Sequence, residues 1–157
     1  MHVENLLSEG LANFYLTPQY ALTMDPDAPA GDAFQARLDR LHREELDFFA
    51  KAEHVLAVSL APDADYTASR EAYGAIAMDM EDFMLPAGHY LGARMVQTMD
   101  EVLPRDKIIE CVVDLPAFLP HYNEAARRVG AFVFDDMLVD RFGFLCQETR
   151  TELENAS

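Results

Sequence analysis

The sequence predicts an all-α fold, a single domain over residues 1–157 with about six to seven helices packed at irregular or orthogonal angles. Three observations carry this expectation. Apolar residues recur at three- and four-residue steps nearly throughout. Sustained strand alternation is missing, with Ala131 to Phe134 the weak exception. Half of the residues are hydrophobic, enough for a sizeable core in a chain of 157 residues. There is no internal repeat, low-complexity run or interdomain linker.

Taken in order, Val3, Leu6, Leu7, Leu11 and Phe14 mark a first amphipathic helix that stops before Pro18. A loop with Pro26 and Pro29 follows, and Asp32 is placed to cap the next helix. That helix is expected to run unbroken from Ala33 to Leu60. Phe34, Leu38, Leu41, Phe48, Ala52, Val55 and Leu56 form its apolar stripe. Arg37, Arg40, Glu44, Glu45 and Lys51 are assigned to the opposite, solvated face. Asp65 or Thr67 caps a third helix, Ala68 to Phe83, and Pro86-Ala87-Gly88 is read as a turn. A fourth helix spans His89 to Leu103, with Tyr90, Leu91, Met95, Val96 and Met99 on its apolar side. Pro104 opens a short fifth helix, Arg105 to Val113, and a sixth runs from Leu115 to Arg128, ended by Gly130. The last, Phe132 to Glu152, carries Gly143 as a potential break.

Charge narrows the function classes. Lys and Arg total 12, Asp and Glu total 28, and the formal net charge is −16. Such a chain is repelled by nucleic acid and by anionic membrane surfaces, both polyanions, and it favours cations. No apolar run approaches the roughly 20 residues that span a bilayer. The N-terminus lacks the basic region and apolar stretch of a signal peptide, so a soluble chain of unassigned compartment is expected. Cys111 and Cys146 form no Cys-x-x-Cys pattern and are read as small core residues. Gly-x-Gly-x-x-Gly, Gly-x-Ser-x-Gly and paired Glu-x-x-His patterns are all missing. The acidic run Asp79, Glu81, Asp82 reads as a solvated helix end, and Met78, Met80, Met84, Met95 and Met99 as core filling or an adaptable cleft wall.

The segment Ser8-Glu9-Gly10-Leu11-Ala12-Asn13 is the most informative. A glycine inside an apolar helix costs about 1 kcal/mol relative to alanine, so Gly10 suggests close approach by another element. Asn13 lies four residues after Glu9, on the same face. A carboxylate and an amide one turn apart can serve as a metal ligand and as support for a ligating histidine. The same spacing also fits a surface Glu beside a tight helix contact.

This string resembles the helix of gluzincin peptidases that supplies the third zinc ligand, a Glu followed by Gly, an apolar residue and Ala. Three later segments, Tyr90-Leu91-Gly92-Ala93-Arg94-Met95, Lys107-Ile108-Ile109-Glu110-Cys111 and Tyr122-Asn123-Glu124-Ala125-Ala126, are similar in order and spacing to those of a family of zinc-dependent bacterial peptidases. The resemblance spans Leu6 to Arg128. It implies that residues 1–17 form the third-ligand helix, that Glu9 binds zinc and that Asn13 supports a ligating histidine. It further implies that Tyr90 or His89 faces the cleft and donates a hydrogen bond to a tetrahedral oxyanion. The implied cofactor is zinc, which activates water and polarises a peptide carbonyl, and the implied partner is a peptide or protein substrate.

One departure is large. The histidines are His2, His42, His54, His89 and His121, and no two lie four residues apart. The His-Glu-x-x-His element that supplies two zinc ligands and the general base is therefore missing from the sequence. The expectation is a C-terminal part of such a peptidase, inactive alone, whose remaining ligands come from a missing N-terminal segment. His2 and Glu9, two turns apart, could share a metal only as a weak pair. Two alternatives stand beside it. One is a non-enzymatic helical module that pairs with a partner or with a second copy. The other is a small-ligand pocket near the methionines, with His89 and Tyr90 as polar anchors.

Overall fold

The computed structural model describes residues 2–16, 32–77 and 87–155. These residues form eight α-helices and no strand among the described residues. Helix α1 is His2–Leu11 and continues into a π-helical turn, Ala12–Leu16. Helices α2 (Asp32–Arg43) and α3 (Glu45–Ser59) follow, then α4 (Tyr66–Ala77) and α5 (Ala87–Val102). Helix α6 is Arg105–Val113, a 3₁₀ turn covers Leu115–Ala117, and α7 (Phe118–Val129) and α8 (Asp136–Asn155) complete the chain.

Helix α5 is the hub. Tyr90, Leu91, Met95, Val96 and Met99 are all fully buried on it. A helix apolar on more than one side must be covered on more than one side, and α5 packs against α1, α3, α4, α6 and α7. Met95 and Met99 are thus core residues, while Met78, Met80 and Met84 lie outside the described residues, as does the acidic run at 79–82.

The crossing of α1 over α5 is backbone on backbone. A Cβ built on Gly10 would sit 2.4 Å from the Gly92 carbonyl oxygen, and one on Gly92 would sit 2.2 Å from the Leu6 carbonyl oxygen. Neither helix could come so close with any larger residue at these positions. The element that Gly10 admits is therefore α5. Tyr15 then pins the end of the π turn. Its hydroxyl donates to Asp100 at 2.5 Å, and the Arg105 guanidinium lies over its ring. Partial burial and the neighbouring Asp100 carboxylate push the Tyr15 phenol up to about 12.

The long second helix expected from the sequence is two helices joined at Glu44. Backbone bonds continue through the joint, from Glu44 N to Arg40 O and from Phe48 N to Glu44 O, each 3.0 Å. The break is a local bend at φ −101° and ψ 10° rather than a loop. It accounts for eight helices instead of seven. The solvated face assigned to this segment also needs correction: Arg37 is buried, and Glu45 turns inward to α5.

Other differences are smaller. Ala87 and Gly88 belong to the first turn of α5 rather than to a turn before it. Asp65 is the capping residue of α4, accepting from the Thr67 and Ala68 amides at 3.2 and 3.4 Å. Helix α8 passes Gly143 without a break. Gly130 ends α7 in the left-handed conformation, φ 73°, and Ala131 N donates to Ala126 O at 2.9 Å. The residues after it, 131–135, are irregular. Asn123 acts as their partner: its amide donates to Phe134 O at 2.9 Å and accepts from Phe134 N at 3.0 Å. The Tyr122 hydroxyl donates to Phe132 O at 2.8 Å. Phe49 stacks on Tyr122 and Phe132, and Phe134 meets Tyr122 and Phe132 edge-on, so the segment's own aromatics join one cluster with α3 and α7.

No described helix is long and apolar enough to cross a membrane. No disulfide forms among the described residues. Burial pushes the Cys111 thiol up to about 11, and its sulfur donates to Lys107 O, so it is an inert core group.

Candidate functional site

Where α1 crosses α5, the glycine pair brings the preceding residues of each helix together. Glu9 precedes Gly10, and His89 lies on the turn before Gly92. The His89 Nδ1 stands 3.3 Å from Glu9 Oε2. Both side chains are about two-fifths exposed, at 39% and 42%. The carboxylate and the imidazole are therefore accessible from solvent and already close enough to share one small ligand.

This pair sits on the rim of a cavity of about 140 Å³ between α1, α3, α4 and α5. Val3, Leu6, Ala52, Val55, Leu56 and Ile76 form apolar wall. At another edge the Asn5 amide donates to the Tyr73 hydroxyl at 3.1 Å. The cavity thus has an apolar body and polar groups at its edges, the usual build of a small-ligand site.

Tyr90 lies elsewhere. It is the residue after His89, but a helix turns about 100° per residue, which sends it to the other side of α5. Its hydroxyl donates to Glu45 Oε2 at 2.5 Å. The Arg94 guanidinium, one turn on, donates Nε to the same oxygen at 2.8 Å and Nη2 to Oε1 at 3.3 Å. Gln97 accepts from Arg94 Nη1 at 2.8 Å. Burial, then the bond to the Glu45 carboxylate, raise the Tyr90 phenol far above its ordinary value. In this arrangement Tyr90 ties α5 to the α2–α3 joint and its hydroxyl is spent on Glu45.

Asn13 stays beside Glu9 but faces its backbone. Its side-chain amide donates to the Glu9 carbonyl oxygen at 2.7 Å, on the wide turn that follows α1. The remaining histidines disperse. His42 packs edge-on against the Tyr90 ring, His54 is exposed, and His121 meets Glu110 at 3.1 Å beside Lys107. The His2 side chain lies outside the described residues.

Among the described residues no group of three or more His, Cys, Asp or Glu side chains is placed to hold a metal ion. Glu9 and His89 offer an oxygen and a nitrogen donor of the kind zinc takes. A catalytic zinc uses three protein ligands, so two donors do not make a zinc site by themselves.

Two features are not foreseen by the sequence pattern. The walls of the cavity are one, because they depend on how α3 and α4 meet α1; of the two anchors expected for a small-ligand pocket, His89 lines this cavity and Tyr90 does not. The Glu45–Tyr90–Arg94 cluster is the other, and it has a signal: Arg94 lies one turn after Tyr90, next to the buried side of α5, where a half-buried guanidinium demands an anion.

These features define a class, an all-α domain with a half-exposed carboxylate–imidazole pair at the edge of an apolar cavity. Residues 2–131 match the family model described as "Putative zinc dependent peptidase (DUF5700)", and the chain belongs to that family. The match covers α1 through the Gly130 turn and leaves α8 beyond it. No curated protein and no solved structure matches the chain.

Proposed function

We propose that this chain is the C-terminal part of a gluzincin-type zinc metallopeptidase, to which it contributes Glu9 as one zinc ligand and the helical wall of the substrate cleft. The observation that carries the reading is the Glu9–His89 pair, 3.3 Å apart at the mouth of a cavity, in a member of this peptidase family. The Gly10–Gly92 crossing supports it, since it holds a solvent-reachable carboxylate on rigid backbone rather than on a loop. The histidine pair and the general-base Glu come, in this reading, from an element outside this sequence. Asn13 steadies the turn behind Glu9, and His89 is the polar neighbour best placed to meet a bound peptide. As a lone polypeptide the chain cleaves nothing.

Zinc titration by calorimetry tests this. The expected result is binding weaker than micromolar that weakens further in Glu9→Ala. Stoichiometric binding at micromolar affinity or tighter that survives Glu9→Ala overturns the ligand assignment.

A second reading, a non-enzymatic module that pairs with a partner or with itself, has its own observation. Ile109, Val112 and Val113 on α6 are 58%, 61% and 79% exposed. Sedimentation at several concentrations separates the two, since a strict monomer that binds no apolar dye argues against pairing.

A further inference from the structure

A zinc peptidase must also choose among peptides, and the cavity beside Glu9 bears on that choice. We propose that this cavity receives one apolar side chain, aliphatic or aromatic, of the peptide substrate, while the peptide backbone lies across Glu9 and His89. The inference rests on the peptidase reading for the word peptide, and on geometry for the rest.

The volume sets the size of the guest. A cavity of about 140 Å³ is present, and an apolar cavity of about 150 Å³ holds a benzene-sized guest. A leucine or phenylalanine side chain is of that size. Glycine or alanine would leave most of the space empty.

The lining sets its polarity. Val3 and Leu6 from α1, Ala52, Val55 and Leu56 from α3 and Ile76 from α4 line the interior. A charged or amide side chain placed there would lose its water and gain no partner, which costs several kcal/mol on transfer scales. The polar groups lie at the edges instead, at Glu9 and His89 and at Asn5 and Tyr73. That is where a peptide's N–H and C=O groups would need partners once its side chain was buried.

The walls are stiff. They belong to three helices, and one of them, α1, is fixed on α5 by the Gly10–Gly92 crossing. A shaped, stiff pocket discriminates by size, whereas a loop-lined one adapts.

Amide NMR on the whole 157-residue chain tests the proposal. The probes are N-acetyl-leucinamide, N-acetyl-phenylalaninamide and, as a polar control of similar size, N-acetyl-glutaminamide. The two apolar probes should shift the amides around Leu6, Ala52, Leu56 and His89, and should bind at least about tenfold more tightly than the control. Ala52→Leu, which fills the cavity, should abolish their binding and leave the zinc titration unchanged. Leu56→Ala, which enlarges it, should move the preference from the leucine probe toward the phenylalanine probe, and it carries the test alone if Ala52→Leu does not fold. Equal affinity for all three probes, shifts elsewhere on the protein, or affinities unmoved by both variants would overturn the assignment. The two readings fail separately. If Glu9→Ala leaves zinc binding intact while the apolar probes still enter the cavity, the zinc assignment falls and the cavity's preference stands.

Discussion

His89 and Tyr90 are neighbours in sequence and belong to different worlds. His89 meets a carboxylate, Glu9, at 3.3 Å with both groups about two-fifths exposed. Tyr90 meets another carboxylate, Glu45, at 2.5 Å, where Arg94 binds the same group and the exposures of the Arg94 and Glu45 side chains fall to 28% and 21%. One helix therefore separates an open carboxylate from a closed one. Glu45 has its charge balanced by a guanidinium and its oxygens taken by hydrogen bonds, so it holds the fold together. Glu9 faces solvent beside an imidazole, whose nitrogens can accept as well as donate, so it can take up a cation. Two carboxylates on two sides of α5 thus divide into structure and candidate chemistry by their surroundings.

Removing the crossing that places Glu9 should have the largest effect. Gly92→Ala puts a methyl group 2.2 Å from the Leu6 carbonyl oxygen, and the obstacle is backbone rather than a flexible side-chain tip. Helices α1 and α5 must separate. The expected loss is about 3 kcal/mol, at the upper end for overpacked sites, measured by denaturant unfolding. Gly74→Ala on α4 is the internal control. No heavy atom lies within 4 Å of the place its new methyl group would take, so helix propensity alone should stabilise the protein by about 0.5–1 kcal/mol. If both variants behave alike, the Gly10–Gly92 contact is not what holds Glu9 beside His89.

The closed carboxylate predicts the next effect. Tyr90→Phe removes a buried hydrogen bond to a charged acceptor, worth about 2 kcal/mol, while Met95 and Leu91 keep the core otherwise filled. The effect should depend on pH. The folded Tyr90 phenol titrates above its ordinary value of 10.0 because burial and Glu45 disfavour the phenolate. The folded state thus keeps a proton that the unfolded chain sheds. That stability is fully present below pH 10 and is lost as pH rises beyond it. Tyr90→Phe should flatten this alkaline decline in a plot of Tm against pH. Tyr122 is shifted the same way, chiefly by burial, so part of the decline should survive. An unchanged alkaline limb would mean that Tyr90 is not held against Glu45 in solution.

Much of the fold was legible in the sequence because periodicity reports burial. The apolar stripes of α1, α3, α5 and α7 are visible as three- and four-residue steps, and Gly130 announced the end of α7 by its residue type alone. What escaped was set by distant contacts. The Glu44 bend lies within an unbroken helical pattern, and no proline or glycine marks it. Arg37 and Glu45 looked solvated because charges at helical spacing usually are, yet both lie in the interior or at its edge. The irregular path of residues 131–135 is held by side chains distant in sequence, Asn123 on Phe134 and Tyr122 on Phe132. At the site, Glu9 with Gly10 stood out as a motif, and its glycine implied a close neighbour. The identity of that neighbour, Gly92, was not written in either segment alone, and neither was the side of α5 on which Tyr90 lies. Those follow from the angle at which two helices meet, a tertiary property.

The smallest stability effect should fall on Glu9, the proposed zinc ligand. Glu9→Gln keeps the shape of the side chain, and its pairing with His89 is exposed, so unfolding free energy should move by no more than about 0.5 kcal/mol. Glu45→Gln, the same chemical change on the other side of α5, strips the counter-charge from Arg94 and should cost about 2 kcal/mol. Zinc titration should reverse the order. Glu9→Gln should lose measurable binding, because a neutral amide is a poor zinc donor, whereas Glu45→Gln, measured well below its unfolding midpoint, should bind as the parent does. The pair of variants separates a carboxylate that stabilises from one that is available. If Glu9→Gln proves as costly to the fold as Glu45→Gln, then Glu9 is a structural partner of His89 and the open side of α5 is not a site. If it is silent in both measurements, the carboxylate is a solvated surface group and the gluzincin likeness of its helix is a matter of packing at Gly10.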